Sequence, residues 1–484
     1  MKYKNLFLIL IFILSSLVLV ISPLSFEKAP IDSADQWISY MDQHIPVLMK
    51  RHGVPGLILA VIHDGELSKI SSYGYADKEN GIPMTVDTPC RMESISKSVT
   101  AWGVMKLVSD YDLDIDAPVA TYLNSWEFPD SPYDENKVTV RNLLDQSSGM
   151  PLGPIGVLYD PKEPTPALRE CLTEAAVLFK DPGTSFYYSN LNYNILELLI
   201  EEVSGISFSQ YMRENILEPL SMDHSSYDWD ENWDPQVPNS YDAAGKAIPV
   251  YIYPDKGSGG LFSTAEDIAS FVLEGMDPVI LDSQTVENIY KEHVKMSGYY
   301  GAIYDGYGFG HFIEETKDGK KIVSHGGQGS GWMSHFYSIY DEGEAIVMIA
   351  NSQRAWPLFS EILTDWSRLT GFQPVGMSLI RKAAILVRIV IVVIIEILAV
   401  AVTVIAKKRR QLSLKGERWT ASRILSLAGG IILAGSLIYI GNMDYFFLDS
   451  VLPSEIPILK GVLAVSAAVL VFIAVFPEKR TRKG

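Results

Sequence analysis

The chain has 484 residues and a formal net charge of −18, enough length for two or three domains and a sizeable core. From Ser378 onward there are 15 Lys and Arg against 6 Asp and Glu, which leaves −27 on the preceding residues. An acidic body of that size excludes nucleic acid as a partner. Only Cys90 and Cys171 carry thiols, without metal-type spacing; they form one disulfide in an oxidising compartment or stay unpaired.

Asn5 to Leu24 is an apolar run behind Lys2 and Lys4. It reads as a signal peptide or signal anchor over residues 1–25, so the next residues leave the cytoplasm. Ser33 to Lys50 places Trp37, Met41, Ile45 and Leu48 at helical spacing. Leu57–Ile62 and Leu67–Tyr75, joined by His63-Asp-Gly65, read as a β-hairpin.

The next stretch, Arg91-Met-Glu-Ser-Ile-Ser-Lys-Ser-Val-Thr-Ala-Trp102, organises the chain. Ile95, Val99, Trp102 and Met105 keep helical spacing, and Ser94 and Lys97 are three apart. Positions i and i+3 share a helix face, so a hydroxyl and an amine lie side by side near a helix start. A serine becomes a nucleophile when a neighbouring base takes its proton, and a desolvated lysine can be that base. The plainer reading of the same residues is a capped, solvated helix start. Cys90 reads as packing.

Val138–Leu144 forms a helix leading into Asp145-Gln-Ser-Ser-Gly149, and Pro151 to Pro166 reads as a long surface loop. Tyr188-Ser-Asn190 falls in a loop before an apolar helix, Ile195–Val203. Gly257-Ser-Gly-Gly260 leads into another helix, with Ser263 and Glu266 as its capping box. Strands follow at Tyr307–Ile313, Lys321–Ser324, Met333–Ile339 and Ala345–Ile349, with His325-Gly-Gly-Gln-Gly-Ser-Gly331 connecting two of them. Pro357–Leu369 reads as a closing helix. This order predicts an α/β (α+β) fold, an antiparallel sheet built from both ends of the domain with helices inserted between.

Three apolar runs close the chain, at residues 389–406, 424–440 and 456–476, each near the length needed to cross a bilayer. Basic residues at 407–423 and after 476 place those segments inside; Asp444, Asp449 and Glu455 mark an outside loop. The body, 26–377, then lies outside and 378–484 is a membrane domain. Glu396 sits mid-span, where a carboxyl marks function or pairs with a neighbouring helix. Lys460, near a span end, can snorkel.

Three separated motifs occur in a fixed order: Ser94-x-x-Lys97, Tyr188-x-Asn190 and His325-Gly-Gly327 on a late strand. This set resembles the serine β-lactamase and penicillin-binding protein superfamily, closest to its class C, D-alanyl-D-alanine carboxypeptidase and esterase branch. Leu143–Gly149, Gly259–Asp267 and Tyr307–Gly310 resemble its flanking patterns. The resemblance covers roughly residues 33–372. It implies a β-lactamase-like fold, Ser94 as acylated nucleophile, Lys97 as adjacent base, and Tyr188 as a proton carrier that later activates water. It also implies Asn190, His325, Gly326 and Gly327 as substrate-binding residues, the glycines letting substrate backbone approach. The backbone N–H groups of Ser94 and Gln328 would form the oxyanion hole. No cofactor or metal is implied.

Two departures stand out. Glu93 replaces the small residue usual before the nucleophile, where it either stabilises a protonated Lys97 or points into solvent. His325 replaces a lysine, so a partly charged imidazole stands where substrate carboxylates are held. Peptidase or esterase work on another substrate end is expected over β-lactam turnover. A hydrolase domain followed by three spans also resembles the prodrug-activating peptidases of the colibactin-maturing type. The expected function is a membrane-anchored serine hydrolase cleaving a small peptide, D-amino-acid-containing amide or ester outside a bacterial cell membrane. The alternatives are a β-lactamase or D,D-carboxypeptidase proper, and a catalytically idle sensor using the same cleft.

Overall fold

A computed structural model describes residues 33–298, 300–316, 319–372, 375–408, 412, 419–442 and 447–476. The apolar run at 5–24, the basic loop residues 413–418 and the tail from 477 lie outside the described residues. The chain divides into two compact units, Ala29–Ser378 and a second that includes Leu379–Gly484.

In the first unit, α1 (Ala34–His52) is followed by the hairpin β1 (Gly56–His63) and β2 (Glu66–Asp77), the short β3 (Ile82–Pro83) and β4 (Cys90–Arg91), and α2 (Ile95–Tyr111). The inserted region holds α3 (Val140–Leu144), α4 (Leu168–Ala175), α5 (Asn190–Ser204), α6 (Phe208–Met212), β5 (Ser240–Tyr241), β6 (Ala247–Ile248), β7 (Phe262–Ser263), α7 (Ala265–Glu274) and α8 (Ser283–Ile289). The closing part runs through β8 (Val294–Lys295), β9 (Gly306–Tyr307), β10 (Phe312–Glu315), β11 (Lys321–Gln328), β12 (Met333–Ile339), β13 (Glu344–Ala350) and α9 (Ala355–Leu369).

The main sheet has nine strands in the order β3-β2-β1-β13-β12-β11-β10-β9-β8. All its pairings are antiparallel, and β1 meets β13 with Leu57 opposite Ala350, so both ends of the domain share one sheet. β1, β12 and β13 are almost wholly buried, as expected of central strands covered on both faces. α2 is buried nearly all round from Ile95 to Met105, so its polar face looks into protein.

Three boundaries differ from the sequence reading. Tyr307–Ile313 is two strands, because Gly310 at φ +74 turns the chain between β9 and β10. β11 runs on through Gln328, so His325-Gly-Gly lies within a strand and not in a connection. α7 is capped by Thr264, whose Oγ1 accepts from Asp267 N, while Ser263 pairs in β7.

The second unit contains α10 (Ser378–Lys408), α11 (Ala421–Gly441), the short α12 (Phe447–Val451) and α13 (Glu455–Val475). α10, α11 and α13 are long and apolar enough to cross a membrane. Arg388 on α10 pairs with Glu455 at 2.5 Å, and Lys460 reaches Asp449 at 2.7 Å.

Candidate active site

Ser94 sits at the start of α2 and is half-buried, while Lys97, one turn on, is fully buried. Lys97 Nζ lies 3.1 Å from Ser94 Oγ. It also contacts Asn190 Oδ1 at 2.8 Å and the Ser258 carbonyl at 2.7 Å. An amide oxygen and a carbonyl can only accept, so they take two N–H bonds. The third position faces a hydroxyl, which can give as well as receive. A neutral amine has two N–H groups and one lone pair, and the arrangement fits that form with the lone pair toward Ser94.

Electrostatics favour the same form. Burial lowers the Lys97 ammonium from 10.5 to about 7, against smaller opposing effects from Asp255 and Glu93. Burial likewise raises Asp255 to about 6, and Asn194 Nδ2 donates to it.

Tyr188 comes from the loop before α5, and its ring centre lies 5.0 Å from Lys97 Nζ. The ring also stacks near Tyr300 and Phe312 and tilts against His325. Asn190 is the first residue of α5, not a residue of the preceding loop. Ser94, Lys97, Tyr188 and Asn190 are therefore brought together from segments about 90 residues apart in the chain.

The β11 residues are placed differently from expectation. His325 is fully buried, with Nε2 3.1 Å from the Tyr307 hydroxyl and Nδ1 3.0 Å from the Gly326 carbonyl. Burial, helped by Lys97, lowers its pKa well below 6.5. It is a neutral imidazole bonded at both nitrogens, so the expected partial charge is absent. The glycines are also required by internal packing. A Cβ on Gly326 would meet the Trp356 ring at 2.5 Å, and one on Gly327 would meet the Met92 carbonyl at 2.1 Å.

Gln328 is presented by strand register. Gly329 N donates to Trp332 O at 3.0 Å, and Gln328 stands opposite Met333. Antiparallel pairing alternates, so the Gln328 N–H is directed away from β12. On that side β10 pairs with β11 from Lys321 to Ser324. The Gln328 side chain is held from the other face, where Trp356 Nε1 donates to its Oε1 at 2.8 Å.

Glu93 does not point into solvent. It is buried, accepting from Arg91 Nε at 2.8 Å and from the Tyr251 and Tyr253 hydroxyls at 2.8 and 3.1 Å. Cys90 and Cys171 are both unpaired. Burial pushes the Cys90 thiol far above its ordinary range, which suits packing and not nucleophilicity.

The sequence reading missed Asp255, Ser258 and Glu197. Glu197 Oε2 accepts from Lys256 N at 2.6 Å and Gly257 N at 2.7 Å, and burial raises the carboxyl to about 8. These contacts hold the loop whose Ser258 carbonyl meets Lys97. A signal was present: Asn190, Asn194 and Glu197 lie at i, i+4 and i+7, on one face of α5. Elsewhere, His63, Asp64 and Glu344 cluster closely enough to share a cation, but His63 Nδ1 already lies within hydrogen-bond distance of Glu344 Oε1, at 2.5 Å.

Comparison with known proteins agrees with this architecture. The family model described as Beta-lactamase matches residues 41–362. Protein flp of Staphylococcus aureus (strain MRSA252) is 24% identical over 312 residues, covering 63% of this chain and 60% of the relative. Penicillin-binding protein 4* of Bacillus subtilis (strain 168) is 24% identical over 333 residues, covering 63% and 70%. The chain thus spans about three-fifths of the staphylococcal relatives' length. The octameric penicillin-binding protein homologue from Pyrococcus abyssi superposes with a TM-score of 0.58 at 26% identity, over 69% of this chain and 77% of that one. SurE superposes at 0.57 with 24% identity, over 70% and 76%, a likeness of fold alone. With two-thirds of its length under one family model, the chain belongs to the β-lactamase family of serine hydrolases and penicillin-binding proteins.

Proposed function

We propose that the protein is a membrane-anchored serine hydrolase that cleaves an amide or ester outside the cytoplasmic membrane through an acyl-enzyme on Ser94. The single observation that carries this reading is the buried Lys97 Nζ at 3.1 Å from Ser94 Oγ. Neutral Lys97 takes the Ser94 proton as Oγ attacks the substrate carbonyl. The backbone N–H groups of Ser94 and Gln328 receive the oxyanion. As the intermediate collapses, the bond to the leaving group breaks and that group receives the proton from Lys97, with Tyr188 beside it. A water then attacks the acyl carbon and gives its proton to the same pair; the bond from the acyl carbon to Oγ breaks, and Ser94 takes that proton back. Asn190, fixed through Oδ1, offers its amide NH2 to the substrate.

Neutral His325 bears on the substrate. Without an imidazolium on β11, a terminal carboxylate finds no cation there. This favours an acyl peptide, amide or ester with an uncharged end, and weighs against the β-lactamase and D,D-carboxypeptidase alternatives. The three apolar helices support anchoring in a bilayer. The charge distribution around them supports an extracytoplasmic site.

The test is labelling of the full-length protein in detergent with a fluorophosphonate. Wild type should gain one adduct at Ser94, and Ser94→Ala should gain none while keeping its circular dichroism spectrum. Equal labelling of the Ala variant refutes the assignment. A wild type that folds but never labels supports the sensor alternative.

A further inference from the structure

Glu93 precedes the candidate nucleophile and holds φ +50, a left-handed conformation rare for a residue with a side chain. Its carboxylate is only 2% exposed and is bonded by three donors. Arg91 fixes the cluster. It is fully buried, donates to the Tyr251 carbonyl at 2.8 Å and the Gly259 carbonyl at 3.0 Å, and lies over the rings of Tyr251, Tyr253 and Phe262.

Three parts of the site meet at this carboxylate. The first is the nucleophile turn itself, since Glu93 directly precedes Ser94 and its carboxylate ties this turn to Arg91 and the Tyr251 and Tyr253 hydroxyls. The second is β11, where a Cβ on Gly329 would lie 2.3 Å from the Glu93 carboxyl carbon and one on Gly327 would lie 3.0 Å from its Cβ. Gln328, with its outward N–H, sits between those glycines. The third is the segment from Tyr251 to Gly260, which carries Asp255 and the Ser258 carbonyl that meets Lys97.

We propose that Glu93 is a positioning residue that locks the nucleophile turn, the Gln328 oxyanion donor and the Lys97-facing loop into one unit, a role that rests on the serine hydrolase reading above. The carboxylate holds the turn through bonds that a small residue cannot make. Its packing against Gly327 and Gly329 sets the distance between the Ser94 and Gln328 N–H groups. Its charge also contributes to the field at Lys97. The other groups that act on Lys97 are Ser94 on its own helix, Asn190 and Tyr193 on α5, Tyr188 before α5, Asp255 and the Ser258 carbonyl, and His325 on β11.

The test uses full-length protein in detergent, hydrolysis of p-nitrophenyl butyrate as a function of pH, and fluorophosphonate labelling. Glu93→Gln removes the charge and keeps the size. The expected result is a fall in kcat of about 10- to 100-fold with little change in KM, because small misplacement of reacting groups is costly. The acid limb of the pH profile should also move down by about half a unit, since a nearby negative charge no longer favours ammonium. A folded variant within twofold of wild type, or one with equal losses in kcat and KM and an unmoved acid limb, overturns the proposal. If Glu93→Gln does not fold, the pair Arg91→Met with Glu93→Gln removes both buried charges together and takes the same readouts. Failure of that pair to fold makes the cluster a folding element and also overturns the proposal. A wild type that does not label at Ser94 sinks the hydrolase reading itself, whereas a labelling wild type with an indifferent Glu93 variant sinks only this inference.

Discussion

The burial of Lys97 makes a quantitative prediction about pH. A lysine lowered from 10.5 to about 7 has lost about 5 kcal/mol of preference for its charged form. The base must be neutral to accept the Ser94 proton, so activity rises with pH through the folded-state value. At pH 7 roughly half of the molecules carry neutral Lys97; at pH 5 about 1% do, a fall of roughly 50-fold. An ordinary lysine would leave only about one molecule in 3,000 neutral at pH 7. The assay is kcat/KM for a neutral ester from pH 5 to 9.5, with label uptake at Ser94 as a second reporter. The expected profile climbs about tenfold per unit below pH 6 and levels above pH 8. Lys97→Arg keeps a cation that cannot deprotonate in this range, and should lose 10²- to 10⁴-fold at all pH values. A flat wild-type profile, a midpoint near 10, or an active arginine variant refutes Lys97 as base.

Further outcomes follow from individual contacts. Tyr188→Phe keeps the ring between Lys97 and Phe312 but removes the hydroxyl, so kcat should fall about 10²-fold or more with stability within about 0.5 kcal/mol. Gly327→Ala would force a methyl group to 2.1 Å from the Met92 carbonyl; thermal melting should show a loss of about 1–3 kcal/mol or more, with reduced turnover as Gln328 shifts. Because His325 is buried neutral, KM for a carboxylate-bearing substrate should show no rise on its account between pH 6 and 8, and steady-state kinetics that show one would contradict its placement. Under native conditions iodoacetamide should modify Cys171 and spare the fully buried Cys90, as read by peptide mass spectrometry.

Much of this protein is legible in local pattern. Period-3.6 hydrophobicity marked α1 and α2, two strand-like runs around His63-Asp-Gly65 marked the β1–β2 hairpin, and apolar length marked α10, α11 and α13. These signals survive because each depends on neighbours a few residues away. Ser94 and Lys97 were legible for the same reason: their proximity is a property of one helical turn. Tyr188 and Asn190 were reachable only through the ordered set of motifs, since no local rule brings α5 to α2.

What the sequence alone determined, then, is the kind of chemistry available, the residue types that carry it, and a chain with an acidic body and three apolar spans. Only the tertiary structure decided charge states and directions. It lowered the Lys97 ammonium to about 7 by removing water from it, and it made His325 neutral by the same burial. It turned Glu93 inward onto Arg91, and aimed the Gln328 N–H outward through strand register. The physical reason is that desolvation and pairing register are set by what packs from distant parts of the chain, and no window of neighbouring residues contains that information.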